Sequence, residues 1–185
     1  MEQPFLISTG GIFMNVREEL LQDQVQSKAR VMQLAIVASE SEEVLRELIG
    51  CFISGDSRLT QRASWSLSWV ARKNPAIIQP YIDMIVKQVC APEAHDAVVR
   101  NGLRILEDLD IPEKFHGEVL NACFDFIHKK HTAVAIKAFS LHVIFNLSKI
   151  YPEIRNELKL VIQENIGFET AAFRSRGNKL LAKLK

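Results

Sequence analysis

Apolar residues recur with a helical period along nearly the whole chain from Val16 onward, and no stretch of four or more residues alternates cleanly in the manner of a strand. Phe115, Val119, Leu120, Cys123, Phe124 and Ile127 share one face of a helix entered after Pro112, while Lys114, Glu118 and Asn121 occupy the other. Ile78, Ile82, Ile85, Val86 and Val89 repeat this one-sided stripe behind Pro75, and Ile154, Leu158, Val161 and Ile162 repeat it behind Pro152. Each of these prolines stands where a helix start favours one. The stretch 132–150 differs. Val134, Ala138, Leu141 and Phe145 lie on one side and Ile136, Phe139, Val143 and Leu147 on another, so this helix needs neighbours on both. Its polar stripe narrows to His142, Asn146 and Lys149. Phe139, at its middle, is expected to be a core residue whose truncation to Ala costs ~3–5 kcal/mol.

The pattern predicts helices over 15–38 (broken around Gln26–Lys28), 41–53, 57–73, 76–90, 93–109, 113–129, 132–150, 152–166 and 170–184. Short connections between them suit four to five antiparallel helix pairs. The expected fold class is all-α, with one domain over 15–185 and a flexible arm over 1–14 that contains Gly10 and Gly11. End to end, the segments repeat. The turn prolines Pro75, Pro112 and Pro152 are 37 and 40 residues apart, and the basic residues Arg62, Arg100, Lys137 and Arg174, each near the start of a second helix, are 38, 37 and 37 apart.

Paired helices at this period, with an early proline in the first and Arg or Lys near the start of the second, resemble the HEAT/armadillo class of α-solenoids over most of the chain, from Val16 to Leu184. Asp56, six residues before Arg62, resembles the Asp of the Asp and Arg pair that buttresses adjacent HEAT units. Ala94 and His131 stand at that position before Arg100 and Lys137, so one repeat alone keeps both members. The resemblance implies a short right-handed α-α superhelix whose second helices line a concave, binding face. The stretches Arg62–Leu67, Ala122–Asp125, Val134–Phe139 and Phe173–Gly177 are also similar to a family of short bacterial HEAT-like proteins. Its members often carry the name adenylosuccinate lyase. That enzyme superfamily's signature, a serine-rich loop followed by a Met-Pro-x-Lys-x-Asn-like stretch, has no counterpart in this sequence, so no lyase activity is expected.

Composition narrows the classes further. With 185 residues, 48% of them apolar, and only 3 Cys, the chain can hold a core without disulfides or a structural metal. Its longest apolar runs, Val31–Ala38 and Leu48–Ile53, fall well short of the ~20 residues a membrane span requires. The first residues lack the basic start of a secretory leader. Cys51, Cys90 and Cys123 form no Cys-x-x-Cys pair and sit among apolar neighbours, as reduced thiols of a cytoplasmic protein would. The net charge of +1 hides an asymmetry: residues 1–60 hold 5 basic and 9 acidic side chains, the rest 18 and 13, and Thr170–Lys185 has five basic residues and no acid.

No phosphate loop, dinucleotide fingerprint, nucleophile elbow or His-Glu-x-x-His motif occurs. Asp125, His128 and His131 read as a polar helix end complementing the dipole rather than a metal site, and Glu107, Asp108 and Asp110 as a solvated turn. No metal and no cofactor are expected. Arg58, Arg62, Trp65 and Trp69 lie on one side of the helix over 57–73, opposite Leu59, Ala63, Leu67 and Val70. The two indoles either pack on the adjacent repeat or face the groove beside Arg. Second helices lining the concave face would present Arg62, Trp65, Trp69, Arg100, Arg104, Asp108, His142, Asn146, Lys149, Arg174 and Asn178 as binding candidates.

The function expected from this is a non-catalytic interaction module that binds a protein or peptide partner on its concave face. The alternative is a nucleic-acid role, because HEAT-like DNA-alkylation-repair glycosylases carry Trp, Arg and Asp on the concave face of a similar array. Trp65, Trp69, Arg100, Arg104 and Asp108 supply those residue types here, although a net charge of +1 is weak for neutralising a run of phosphates.

Overall fold

Asn15, Ser27, Ser41 and Asp56 each accept a hydrogen bond from a backbone N–H in the turn that follows, and so begin α1 (Val16–Leu21), α2 (Lys28–Glu40), α3 (Glu42–Phe52) and α4 (Ser57–Lys73). Pro75 opens α5 (Pro75–Ile78), which continues through a 3-10 turn into α6 (Ile82–Cys90). The ring of His95 caps α7 (Asp96–Leu106) by accepting from the Ala97 N–H. Then follow α8 (His116–His128), α9 (Val134–Leu147), α10 (Ile154–Asn165) and α11 (Ala171–Lys183). This computed structural model describes residues 14–184, and no strand occurs among them. The arm expected over 1–14 lies outside the described residues except for Met14, which packs against the core.

Two layers result. Helices α2, α4, α7, α9 and α11 contact one another in that order, and behind them α1, α3, α6, α8 and α10 fill the second layer. The described residues thus form a helical-repeat array of layered helix pairs, with the short α1 packed against α3 and α4 at one end. α4 turns Leu59, Ala63, Leu67 and Val70 fully inward. α9 buries Ile136, Leu141, Val143, Ile144 and Leu147 around most of its circumference, which is why it carries so little polar surface. Gly102 lets α7 approach α6 closely, since a Cβ there would collide with Val89 Cγ2. No helix among the described residues is long and apolar enough to cross a membrane.

Phe139 departs from expectation. It is half-buried, on the edge of α9 that faces the open side of the array, and the Arg176 guanidinium lies 4.8 Å from its ring centroid. The core contribution expected of it is carried by its fully buried neighbours Leu141, Val143 and Ile144.

Candidate functional site

In the polar stripe of α4, Arg58 is exposed but Arg62 is turned into the fold. Arg62 is only 9% exposed. Its guanidinium donates to the carbonyl of Leu20 in the last turn of α1 at 2.5 Å, and to those of Asp23 and Gln24 in the connection to α2 at 2.8 Å. Arg58 adds a bond of 3.1 Å to the Asp23 carbonyl. This corrects two expectations. Arg62 is a structural clamp rather than a binding residue, because its planar fork is spent on backbone acceptors that would otherwise be left bare. It also does not pair with Asp56, which caps α4 through Leu59 N–H at 3.0 Å and lies 3.7 Å from Arg17.

One turn beyond Trp65, the stripe opens. Trp65 and Trp69 are both half-buried, and Trp69 packs partly on the core. Its indole therefore combines the two arrangements foreseen for it. Around its ring stand Arg104 Cζ at 4.8 Å, Lys28 Nζ at 5.4 Å and Arg72 Cζ at 5.7 Å from the centroid. Burial holds the Arg104 guanidinium below its ordinary value, as does the charge of Arg72, while Glu107 and Asp108 pull the other way.

Further along the same face, Arg176 on α11 donates to the Glu107 carboxylate at the end of α7, and to the Ala138 carbonyl on the intervening α9 at 3.2 Å. Packed helix axes stand about 8–10 Å apart, so on a flat layer α7 and α11 would be nearly 20 Å from each other. Two long side chains span that distance, so Arg176 lies across α9 and ties α11 to the end of α7. Asn146 fastens the same corner by donating to the Glu107 carbonyl at 2.9 Å, and Lys149 donates to Asn146 Oδ1 at 2.8 Å. Lys149 and Lys183 lie 5.0 and 5.8 Å from the centroid of Phe145, with the His142 ring edge-on to the same phenyl at 6.1 Å. Burial depresses the His142 imidazole, and Arg176, Lys149 and Lys183 depress it further against the opposing pull of Asp108. Its neutral form is thus favoured.

Of the other candidates, Arg100 and Asp108 are exposed near Arg104. Arg174 and Asn178 are exposed on the flank of α11 away from Arg176. Phe173, Gly177 and Leu180 turn inward, and Arg174 and Asn178 then lie roughly 160° around α11 from Arg176. The sequence pattern did not single out Arg176, Lys183, Lys28 and Arg72, and Glu107, expected in a solvated turn, is instead largely buried against Arg176, its side chain 13% exposed. The spacing Arg176, Lys179, Lys183 is a helical stripe that could have revealed the first two.

Catalytic chemistry finds few supports here. Burial raises all three thiols, Cys90 to about 11, so none is a ready thiolate. No group of three or more His, Cys, Asp or Glu among the described residues could hold a metal, and Asp125, His128 and His131 are all exposed around the end of α8.

Glu107 is the most perturbed acid on this face. Burial pushes its carboxyl from 4.5 to about 7 against the pull of Arg176, with Asp108 adding to the rise. The folded chain therefore keeps this proton up to about pH 7, whereas the unfolded chain releases it near pH 4.5. Between those values the folded state binds more protons, and stability falls as pH rises. Glu107→Gln should flatten this component, removing a decline of roughly 2–3 kcal/mol between pH 4.5 and 7.5. Denaturant melts of both chains across that range check it; parallel curves would refute the assignment.

The family model described as a HEAT repeat domain matches residues 16–184. No curated protein and no solved structure matches the chain. With layered helix pairs at this period, and a family match spanning all eleven helices, the chain belongs to the HEAT repeat family.

Proposed function

We propose that the chain is a non-catalytic interaction module that binds a segment of a partner protein along the open face of α4, α7, α9 and α11. One observation carries this reading: the half-buried Trp69 and Phe139, and the largely buried Phe145 between them and the end of α11, each lie beside one or more cationic side chains. Aromatic anchors with adjacent Arg are the residue types that dominate protein interfaces, and a repeat array presents them on a rigid, extended surface. Membership of the HEAT family supports an interaction role in general.

The test must avoid Arg62, whose loss would damage the fold. Capture of partners by the wild-type chain is compared with capture by Arg72→Glu, Arg104→Glu and by the outer-layer variant Lys87→Glu. The first should lose a specific partner that the second retains. Loss in both, or in neither, would count against this face.

A further inference from the structure

Lys28, Arg72 and Arg104 come from three successive helices of one layer, α2, α4 and α7, and converge on a single indole. Bringing like charges together around one ring is costly unless something offsets it. Along the same face Arg176 holds Glu107, and Lys149 donates to the neutral Asn146. Among the described residues, no ion pair includes Lys28, Arg72 or Arg104. Glu107 and Asp108 act on Arg104 through space, but neither neutralises it in contact. Trp69 Nε1 is shielded from solvent and has no hydrogen-bond acceptor. An indole N–H left in that condition is a polar deficit beneath the three cations.

We propose that this cluster is an anion subsite for side-chain carboxylates of an acidic protein segment, with Arg72 and Arg104 as the principal donors, Lys28 as a third charge, and the Trp69 ring supporting the apolar stem of the bound residue. Guanidinium groups form paired bonds to carboxylates, and a cation already stacked on an aromatic ring keeps its edge free to make them. The subsite rests on the reading of the second-helix face as the binding face, and it adds the chemistry of the partner.

The same chemistry could attract nucleic-acid phosphates, but the surroundings favour a peptide. A phosphate backbone needs cations spaced along a track. Here three are gathered on one ring, and the neighbouring stretch of the face carries the exposed Asp108, which would repel the next phosphate, while Arg176 beyond it is already taken up by Glu107.

The chain has two tryptophans, so Trp65→Phe leaves Trp69 as its only indole. That variant is titrated at low salt with a Glu-rich peptide, with the same peptide carrying Gln in place of Glu, and with single-stranded and duplex DNA of equal charge. The acidic peptide should change the indole emission saturably and bind at least tenfold more tightly than the Gln peptide or either DNA. Adding Arg72→Gln and Arg104→Gln, both on exposed or half-exposed side chains, should weaken it at least tenfold with unchanged circular dichroism, while Lys87→Gln leaves it intact. Equal affinity for the Gln peptide, tighter binding of DNA, equal binding by the arginine and Lys87 variants, or no binding would overturn the proposal. If partner capture depends on Arg72 and Arg104 while the acidic peptide neither binds nor competes, the subsite chemistry falls and the interaction face stands.

Discussion

Arg62→Met should cost about 3–5 kcal/mol, given that hydrogen bonds to a charged group contribute about 1.5–3 kcal/mol each and some of the exposed carbonyls regain water. Three carbonyls, of Leu20, Asp23 and Gln24, lose their donor at once. α1 is only six residues long and cannot persist by its own propensity. It is held by burial of Val16 and Leu20 and by this clamp on the connection that follows. Because stability in a repeat array is a sum of local and nearest-neighbour contributions, the loss should appear first as local opening. Hydrogen exchange should show α1 and residues 22–27 unprotected while α6 to α11 keep their protection. Arg62→Lys should recover less than half of the loss, since an ammonium cannot reach three divergent acceptors with a planar fork. A loss under 1 kcal/mol in denaturant melts would show that the clamp is dispensable.

Glu169→Gln should be comparably damaging at the other end of the array. Lys137 Nζ donates to Glu169 Oε1 at 2.6 Å, with the two side chains 7% and 15% exposed. Removing the carboxylate leaves an ammonium buried without a counter-charge, which typically costs ~3–5 kcal/mol. Removing both charges removes the problem: Lys137→Met with Glu169→Leu should be neutral or stabilising by ~1–4 kcal/mol. The double variant is the informative measurement. If it is as unstable as Glu169→Gln, the pair contributes through its shape and hydrogen bonding rather than through balanced charge. Lys137 sits at the start of α9 and Glu169 just before α11, so the pair ties the last repeat to the one before it.

These two residues also show where sequence reasoning reached its limit. The spacing of Arg62, Arg100, Lys137 and Arg174 located a basic position in every second helix, and the helical period separated single-faced helices such as α8 from α9, which is buried nearly all round. Those are properties of the chain's own pattern. The partners are not: Arg62 reaches back to main-chain carbonyls, Lys137 reaches forward to Glu169, and Arg100 and Arg174 are exposed. A backbone carbonyl has no sequence signature, so nothing marked Leu20, Asp23 and Gln24 as acceptors. Arg176 was passed over for Arg174 because the repeat spacing favoured the latter, whereas the phase of α11 is set by which residues bury, namely Phe173, Gly177 and Leu180. Phe139 fell on an apolar side of α9 in the pattern, yet the helix is rotated enough to bring that ring beside Arg176.

The central claim is that the face formed by the second helices receives the partner. Hydroxyl-radical footprinting of the chain, alone and in complex with a partner captured by wild type, tests it directly. Protection is predicted at Trp69, Phe139, His142 and Phe145, with Tyr81, Met84 and Leu160 on the outer layer unchanged. Protection of the outer-layer residues with Trp69 and Phe139 as reactive as in the free chain would contradict it.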